Sequence, residues 1–596
     1  ALHPSAEKRL ALLARFLMLL YLSPVLAAGY YYDDAWTSLL YQYATLHGLG
    51  LTDMIRILLE SSARQGRSFP GTMIYMGTFW YFCRSLWIYQ GIRVLSILIV
   101  FYSFARFLKE LTSSTRVTWM GLTMGLMLFQ LRPGNDPVLA YPLQMHLITM
   151  AAFGSVAFFL RYLATGRSAY LVACLLTFVA ALTIYEVSLV LYPMLFALAL
   201  REHARITDRR RRLGLALGTL TGVAVLYLAL AGVLRLSATR PYSGVILSWN
   251  LRFFPAYFFQ LVASLPGSVL LSQGLNGLVK SQAIFASHPW VGSLFGIAAT
   301  LYLDGILRLC SGHTMKPYAR ERLVIVGGCL LLLPPVPVAL SQKYQGQLGL
   351  GFFYLPVMMQ WFGLALLLTV VGSGARRLVE RHLDARPGVA RVMRVAISAL
   401  LGSALTLQYC VNWGVVDGLN AYWKLPRDTI EAAARARLFD SMESRSIIMR
   451  IQPYIFEQDL WNDHVSTERS SFYYALTGKA FIMCDLSSPP FCRSDDRTLS
   501  PRYVLYFDKS YAMLAKVAAV SEPVRGDRGS SPGFELRGLR VFQRWPGEQE
   551  EELTLPLGLD DESRDQIRSR LRESPRDASA LGDGRLLEFP EMRLVL

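Results

Sequence analysis

Apolar stretches long enough to cross a bilayer recur along the first two thirds of the chain, and the short segments between them alternate between basic and aromatic or polar. No other feature restricts the fold as much. Inside a bilayer every backbone N–H and C=O must find its partner within the protein, which leaves helices and closed barrels. The stretches run to roughly 20 apolar residues each and read as spanning helices. Candidate spans are Leu10–Gly29, Gly91–Phe107, Val117–Leu131, Leu143–Leu160, a run ending at Thr183, a short run to Leu200, Leu213–Val233, Trp290–Leu307, Leu323–Leu340, Gly351–Val371 and Val395–Val411. The expected fold is an all-α polytopic membrane protein with about eleven transmembrane helices.

Lysine and arginine set the orientation. Lys8, Arg9 and Arg15, Lys109 and Arg116, Arg161 and Arg167, the cluster from Arg201 to Arg212, Lys316 to Arg322, and Arg376, Arg377 and Arg381 mark the inside ends. An odd number of spans then divides the chain into a transmembrane part, 1–413, and a soluble part, 414–596, that lies outside. Two long loops, 30–90 and 235–289, lie outside with it. Lys8, Arg9 and Val25-Leu26-Ala27 also resemble a signal peptide, but Arg15 interrupts the run and many spans follow, which favours an uncleaved first helix.

With 53% apolar and 17% charged residues and a mean hydropathy of +0.33, the chain is not an ordinary soluble enzyme. A net charge of +17 would suit nucleic acid, but the basic residues gather between spans, as in Arg209 to Arg212. The expected partner is therefore membrane lipid and not nucleic acid. Neither G-x-G-x-x-G, nor a P-loop, nor H-E-x-x-H occurs, which argues against bound nucleotide as an energy source. Cys83, Cys174, Cys310, Cys329 and Cys410 lie in or beside apolar segments and read as packing residues. Cys484 and Cys492 flank a Ser-Ser-Pro-Pro turn and would close a small disulfide loop in an oxidising compartment. Around them, a helix pattern near Thr429–Met442 and strand-like runs at Ser446–Ile451, Tyr503–Phe507 and Leu539–Trp545 predict a soluble α/β domain of roughly 150 residues.

The chemistry is expected at Tyr30-Tyr31-Tyr32-Asp33-Asp34-Ala35-Trp36, directly after the first span. Adjacent carboxylates at a membrane surface repel each other and are costly to desolvate, so they call for a proton, a cation or a substrate; a solvated helix end is the simpler alternative. The other ionisable groups at outer depth are Arg67, Arg93, Asp136, Glu186, Arg240, Arg252, Lys280 and Lys343. Carboxylates together with cations suit a reaction in which a hydroxyl loses a proton while an anionic phosphate departs.

This acidic pair, a helix-bearing first outer loop, the Arg-x-x-Ser-x-Leu opening of the second span (Arg93, Ser96, Leu98) and the outer C-terminal domain resemble the GT-C glycosyltransferases. That superfamily of membrane enzymes uses polyprenyl-phosphate sugars and includes protein O-mannosyltransferases, an aminoarabinose transferase and O-antigen glucosyltransferases. The resemblance implies that one of Asp33 and Asp34 is the general base, while the other positions the acceptor or holds a divalent cation such as Mg or Mn. Relatives often read Asp-Glu here, which leaves the division of labour open. Arg93 would contact the donor phosphate or brace the first loop, with Lys343, Arg67 and Arg240 as further phosphate contacts. Asp136 or Glu186 would supply a second acid. Tyr185, Tyr344, Gln345 and Tyr32 would join Asp136 and Glu186 around acceptor or sugar. Simpler roles stand beside these: Arg67 and Arg93 snorkel or pair with loop carboxylates, Asp136 in Gly-Asn-Asp-Pro is turn chemistry, and Tyr30 to Tyr32 are an interface belt.

The implied function is an inverting glycosyltransferase that moves one sugar from a polyprenyl-phosphate carrier to a hydroxyl of a periplasmic acceptor. The acceptor would be a glycan such as lipopolysaccharide or a cell-wall polymer, a lipid or a protein, and the enzyme would lie in a bacterial inner membrane. A transporter or flippase of lipid-linked sugars, or an O-antigen ligase or polymerase, would share the basic outer groups.

Overall fold

The computed structural model describes residues 4–203, 209–273, 275–312, 314–349, 355–383, 387–450, 471–485, 493–494, 497–498, 502–507, 511–521, 533–544, 559–573, 584–589 and 592–595. Helices occupy every predicted span, but only eight of them are long and apolar enough to cross a membrane: Lys8–Ala27, Leu86–Thr112, Leu143–Thr165, Arg211–Leu236, Pro289–Cys310, Pro317–Leu340, Val357–Arg377 and Gly388–Arg435. The other three are the shorter helices Thr115–Met127, Ser168–Ile184 and Leu191–Glu202. The expected eleven therefore overcounts full-length spans among the described residues, because hydropathy registers an apolar turn whether or not the helix continues. Elsewhere the pattern fell short: the last helix runs on past Val411 to Leu419 and then through a π-helix, Asn420–Lys424, into Leu425–Arg435.

The residues form two compact units. One comprises Ala1–Ala28, Ile55–Thr78 and Ser85–Gly418; the other comprises Gly29–Met54, Phe79–Arg84 and Leu419–Leu596. The division does not follow a single cut near residue 413, since much of the first loop belongs with the C-terminal part. There, helix Leu40–His47 packs against helix Ser471–Thr477.

In the first unit the helices Leu86–Thr112, Pro142–Thr165 and Ser168–Ile184 pack in sequence, and Pro317–Leu332 packs along Val357–Leu383. Their shared core is aromatic. Phe104 and Phe153 both lie against Phe362, with centroids 4.7 and 5.3 Å away, and Phe107 stacks on Phe153 at 4.7 Å. The indole of Trp361 donates to the Gly125 carbonyl at 3.1 Å, which satisfies its polar atom inside the bundle. Outward, Arg209–Leu236 exposes Leu226, Leu228, Leu230 and Val233, an apolar surface suited to lipid. This is a multi-pass membrane protein.

The second unit holds a mixed sheet. Its strands are β1 (Ile447–Arg450), β2 (Ile482–Asp485), β5 (Tyr503–Phe507), β6 (Tyr511–Ser521), β7 (Gly533–Arg544), β8 (Gly584–Phe589) and β9 (Met592–Val595), while β3 (Arg493–Ser494) and β4 (Arg497–Thr498) form a separate pair. The order is β2-β1-β5-β6-β7-β8, with β9 also on β7. β1 pairs in parallel with β2 and β5, and the remaining pairs are antiparallel. All five residues of β5 are buried, as an uninterrupted Tyr-Val-Leu-Tyr-Phe run in a central strand requires. The predicted amphipathic helix is Leu425–Arg435 and lies against this sheet. The expected Cys484–Cys492 disulfide falls in part on Cys492, which lies outside the described residues.

Candidate functional site

The acidic motif belongs to the second unit, where the π-helix holds it from one side. The side-chain oxygen of Asn420 accepts from the backbone N–H of Gly29 at 3.1 Å and from the hydroxyl of the fully buried Tyr31 at 2.6 Å. A Cβ on Gly29 would come within 2.9 Å of the Lys424 Cβ, so the close approach needs glycine. A π-turn widens the helix by one residue, and such turns recur at functional sites. The Tyr32 ring meets Trp423 at 5.3 Å, and Tyr32 takes φ of +51°, a left-handed conformation that non-glycine residues seldom adopt. That turn starts the short helix Asp33–Thr37, in which Asp34 is buried and Asp33 is exposed.

Arg427, one turn beyond the π-helix, completes the support. Its guanidinium donates to Ser38 Oγ at 2.9 Å, pairs with Glu431 at 3.0 Å and lies over the Tyr30 and Phe472 rings at 4.8 and 5.6 Å. Ser38 in turn donates to the Ala35 carbonyl, and its N–H donates to the Asp34 carbonyl. Residues distant in sequence thus fix the backbone on which both carboxylates sit. Among the described residues no three His, Cys, Asp or Glu side chains converge as a metal site. Two carboxylates alone still suit Mg²⁺, which keeps water and phosphate oxygens in its shell.

In the first unit three loops bring cations together on one ring. Lys343 Nζ donates to the Tyr242 hydroxyl at 2.5 Å and lies 4.7 Å from the ring centre, and Arg67 covers the same ring at 4.7 Å as well as Phe69 at 3.8 Å. The backbone N–H groups of Arg240 and Tyr242 donate to the carbonyls of Arg64 and Gln65, which ties the second long loop to the first. Gly66 makes the junction close: at φ +73°, a Cβ there would meet Ala238 Cβ at 3.1 Å. The late loop is the short helix Gln342–Gln347, anchored by Gln345, whose amide donates to the Ser248 and Ala339 carbonyls. Tyr344 is buried beside it, and its ring lies 5.6 Å from Lys343 Nζ. Glu186 reaches the same neighbourhood, since Glu186, Arg235 and Arg67 all act electrostatically on Tyr227, which is bonded to Ser68. Tyr185, the residue before Glu186, is buried.

Arg93 and Asp136 sit deeper in this unit. Arg93 is fully buried, donates to the Leu139 carbonyl at 2.8 Å and lies over Tyr89 at 4.2 Å, so it holds the 128–141 loop. Asp136 Oδ1 accepts from the N–H groups of Val138 and Leu139 at 2.8 and 2.9 Å, the turn geometry that Gly-Asn-Asp-Pro suggests. Burial pushes its carboxyl up to about 6, against the pull of Arg132 and the backbone donors. Arg132 is also fully buried and donates to the Gln130 and Ala263 carbonyls, and burial lowers it to about 10.

The structure thus gathers Arg67, Lys343, Tyr344 and Glu186 around Tyr242 and Tyr227, with Arg240 exposed alongside, and puts Arg93 and Asp136 into one buried loop. Asp33, Asp34 and Tyr32 belong to the other unit. Sequence reading passed over Asn420, Arg427 and Tyr242. Tyr242 carried a faint signal as an aromatic beside Arg240, while Asn420 and Arg427 had none, because hydropathy sees only the polar end of the last span.

Comparison with protein-family models gives no match, and none of the curated proteins matches. Among solved structures the chain is similar to the crystal structure of ArnT from Cupriavidus metallidurans bound to undecaprenyl phosphate, with a TM-score of 0.37, 14% identity, and coverage of 80% of this chain and 86% of that one. The apo form of the same protein is similar at TM-score 0.37 and 15% identity with the same coverage.

Proposed function

We propose that this protein is an inverting GT-C glycosyltransferase that takes one sugar from a polyprenyl-phosphate carrier to a hydroxyl acceptor on the periplasmic side of a bacterial inner membrane. The observation that carries the reading is the convergence of Arg67 and Lys343, from two separate loops, on Tyr242. Two cations brought to one aromatic ring suit a phosphate that gains charge as it leaves. In this reading the acceptor hydroxyl attacks the anomeric carbon, the bond to the phosphate oxygen breaks, and polyprenyl phosphate departs as an anion against Arg67 and Lys343. Asp33, exposed at the start of its helix, accepts the hydroxyl proton. Asp34, buried, positions the turn and the acceptor. Mg²⁺ or Mn²⁺ would fall to the same two carboxylates, where it would supply positive charge. Arg93 and Asp136 hold the buried 128–141 loop of the membrane unit.

The test is sugar transfer in membranes with a polyprenyl-phosphate donor. Asp33→Asn should lower transfer by about 10²–10⁴-fold while leaving the amount of folded protein unchanged. Full activity in both Asp33→Asn and Asp34→Asn would overturn the mechanism.

A further inference from the structure

A half-open cavity of about 350 Å³ lies at the basic end of the membrane unit, the end that the lysine and arginine pattern assigns to the cytoplasm. Two helix corners form it: Thr112 to Val117, between Leu86–Thr112 and Thr115–Met127, and Thr314 to Ala319, at the start of Pro317–Leu332. The span Pro317–Leu340 begins at this cavity and ends just before Lys343, so the Tyr242 cluster lies at its far end, beyond a first helix, Pro317–Leu332, that alone rises roughly 24 Å at 1.5 Å per residue. The cavity is therefore not part of the site described above.

Its lining suits an anion. Arg116 and Lys316 border it, and neither has an ion pair among the described residues. The carboxylates on the neighbouring helix ends are already engaged: Glu110 with Arg161, Glu202 with Arg322, Glu321 with Arg201, and Asp304 with Arg308 and Arg394. The hydroxyls of Ser113, Thr115 and Thr314 line the same space and have no hydrogen-bond partner among the described residues. The walls are built. Thr112 is buried, donates to the Leu108 carbonyl and accepts from the Ser114 N–H; Ser113 turns the corner at φ +54°; and Arg377 donates to the Met315 carbonyl at 3.3 Å. The volume is at the lower end of ligand pockets and more than one small ion fills.

We infer that this cavity binds a phosphate group, that of an anionic phospholipid headgroup in the adjoining leaflet, between Arg116 and Lys316. Headgroup phosphate takes charge-assisted hydrogen bonds from the two cations and bonds from the three hydroxyls, and its glycerol fills the remaining volume. Inorganic phosphate offers the same chemistry from solution.

The experiment titrates the purified full-length protein in detergent with short-chain phosphatidylglycerol, and separately with inorganic phosphate, and reads bound ligand by native mass spectrometry. R116Q/K316Q should weaken phosphatidylglycerol binding by about 30-fold, from roughly fivefold per cation at a membrane surface. The charge-matched control R320Q/K109Q, outside the cavity, should weaken it by less than about fivefold. Ser113→Asp, an acid that the left-handed corner tolerates, should block binding alike and serves if the double variant folds poorly. Binding of inorganic phosphate alone, still dependent on Arg116 and Lys316, would support the phosphate site and assign it to a soluble source. Equal losses in R116Q/K316Q and the control, or no loss in either, would overturn the inference.

Discussion

Asn420→Ala tests how the fold holds the acidic motif. The substitution removes one oxygen that accepts from two buried groups, the Gly29 N–H and the Tyr31 hydroxyl, and so takes this acceptor from each. Leaving a buried donor unsatisfied costs about 1–3 kcal/mol, so the pair should cost about 2–6 kcal/mol. At roughly 2–4 °C per kcal/mol for a unit of a few hundred residues, the thermal midpoint of the purified protein should fall by about 4–24 °C. Tyr31→Phe removes one donor without uncovering another, so it should cost less, about 1 kcal/mol. The decisive measurement is the double variant, because the Tyr31 loss should largely vanish once Asn420 is already alanine, giving a coupling of about 1 kcal/mol. Transfer activity should follow, since these two bonds hold the chain just before the Asp33–Thr37 helix. Strict additivity of the two substitutions, or an Asn420→Ala protein with unchanged midpoint and activity, would refute the claim that the π-helix positions the motif.

Other substitutions address the remaining parts. Asp33→Asn should lower transfer by about 10²–10⁴-fold, the usual range for losing a general base, with Asp34→Asn acting more through stability; initial rates and thermal midpoints measured together separate the two. Tyr242→Phe frees Lys343 from its hydroxyl contact and Lys343→Gln removes the charge, so donor kcat/KM should fall by about 10- to 100-fold for Lys343→Gln and less for Tyr242→Phe. The Asp136 carboxyl, raised by burial to about 6, favours the protonated form in the fold. Its contribution to stability is therefore fully present below its ordinary value near 4 and is lost as pH rises through about 6. Asp136→Asn keeps the Oδ1 acceptor and should flatten the dependence of the thermal midpoint on pH between 4 and 7; an unchanged slope would contradict the assignment.

The membrane unit was legible because its physics is one-dimensional. A bilayer demands long apolar helices and charged loops, so a sliding window finds all eight long spans from Lys8–Ala27 to the last, together with three helices that proved shorter. The acidic pair stood out for the same reason: two carboxylates beside a span are conspicuous wherever the chain later goes. The strand Tyr503–Phe507 was equally plain, since five apolar residues in a row are buried on both faces.

What the linear pattern could not supply was company. Arg67, Tyr242 and Lys343 are separated by more than a hundred residues in places, and only the docking of three loops makes them neighbours. Likewise Asn420 lies 391 residues from Gly29 and reads as an ordinary polar end of a span until the π-turn carries it under the motif. The choice between Asp33 and Asp34 shows the division most simply. Their identity and their place after the first helix follow from local hydropathy, whereas the exposure of one and the burial of the other depend on Tyr32 taking a left-handed turn against Trp423. Burial is a property of what packs around a residue, and the partners here come from the far end of the chain.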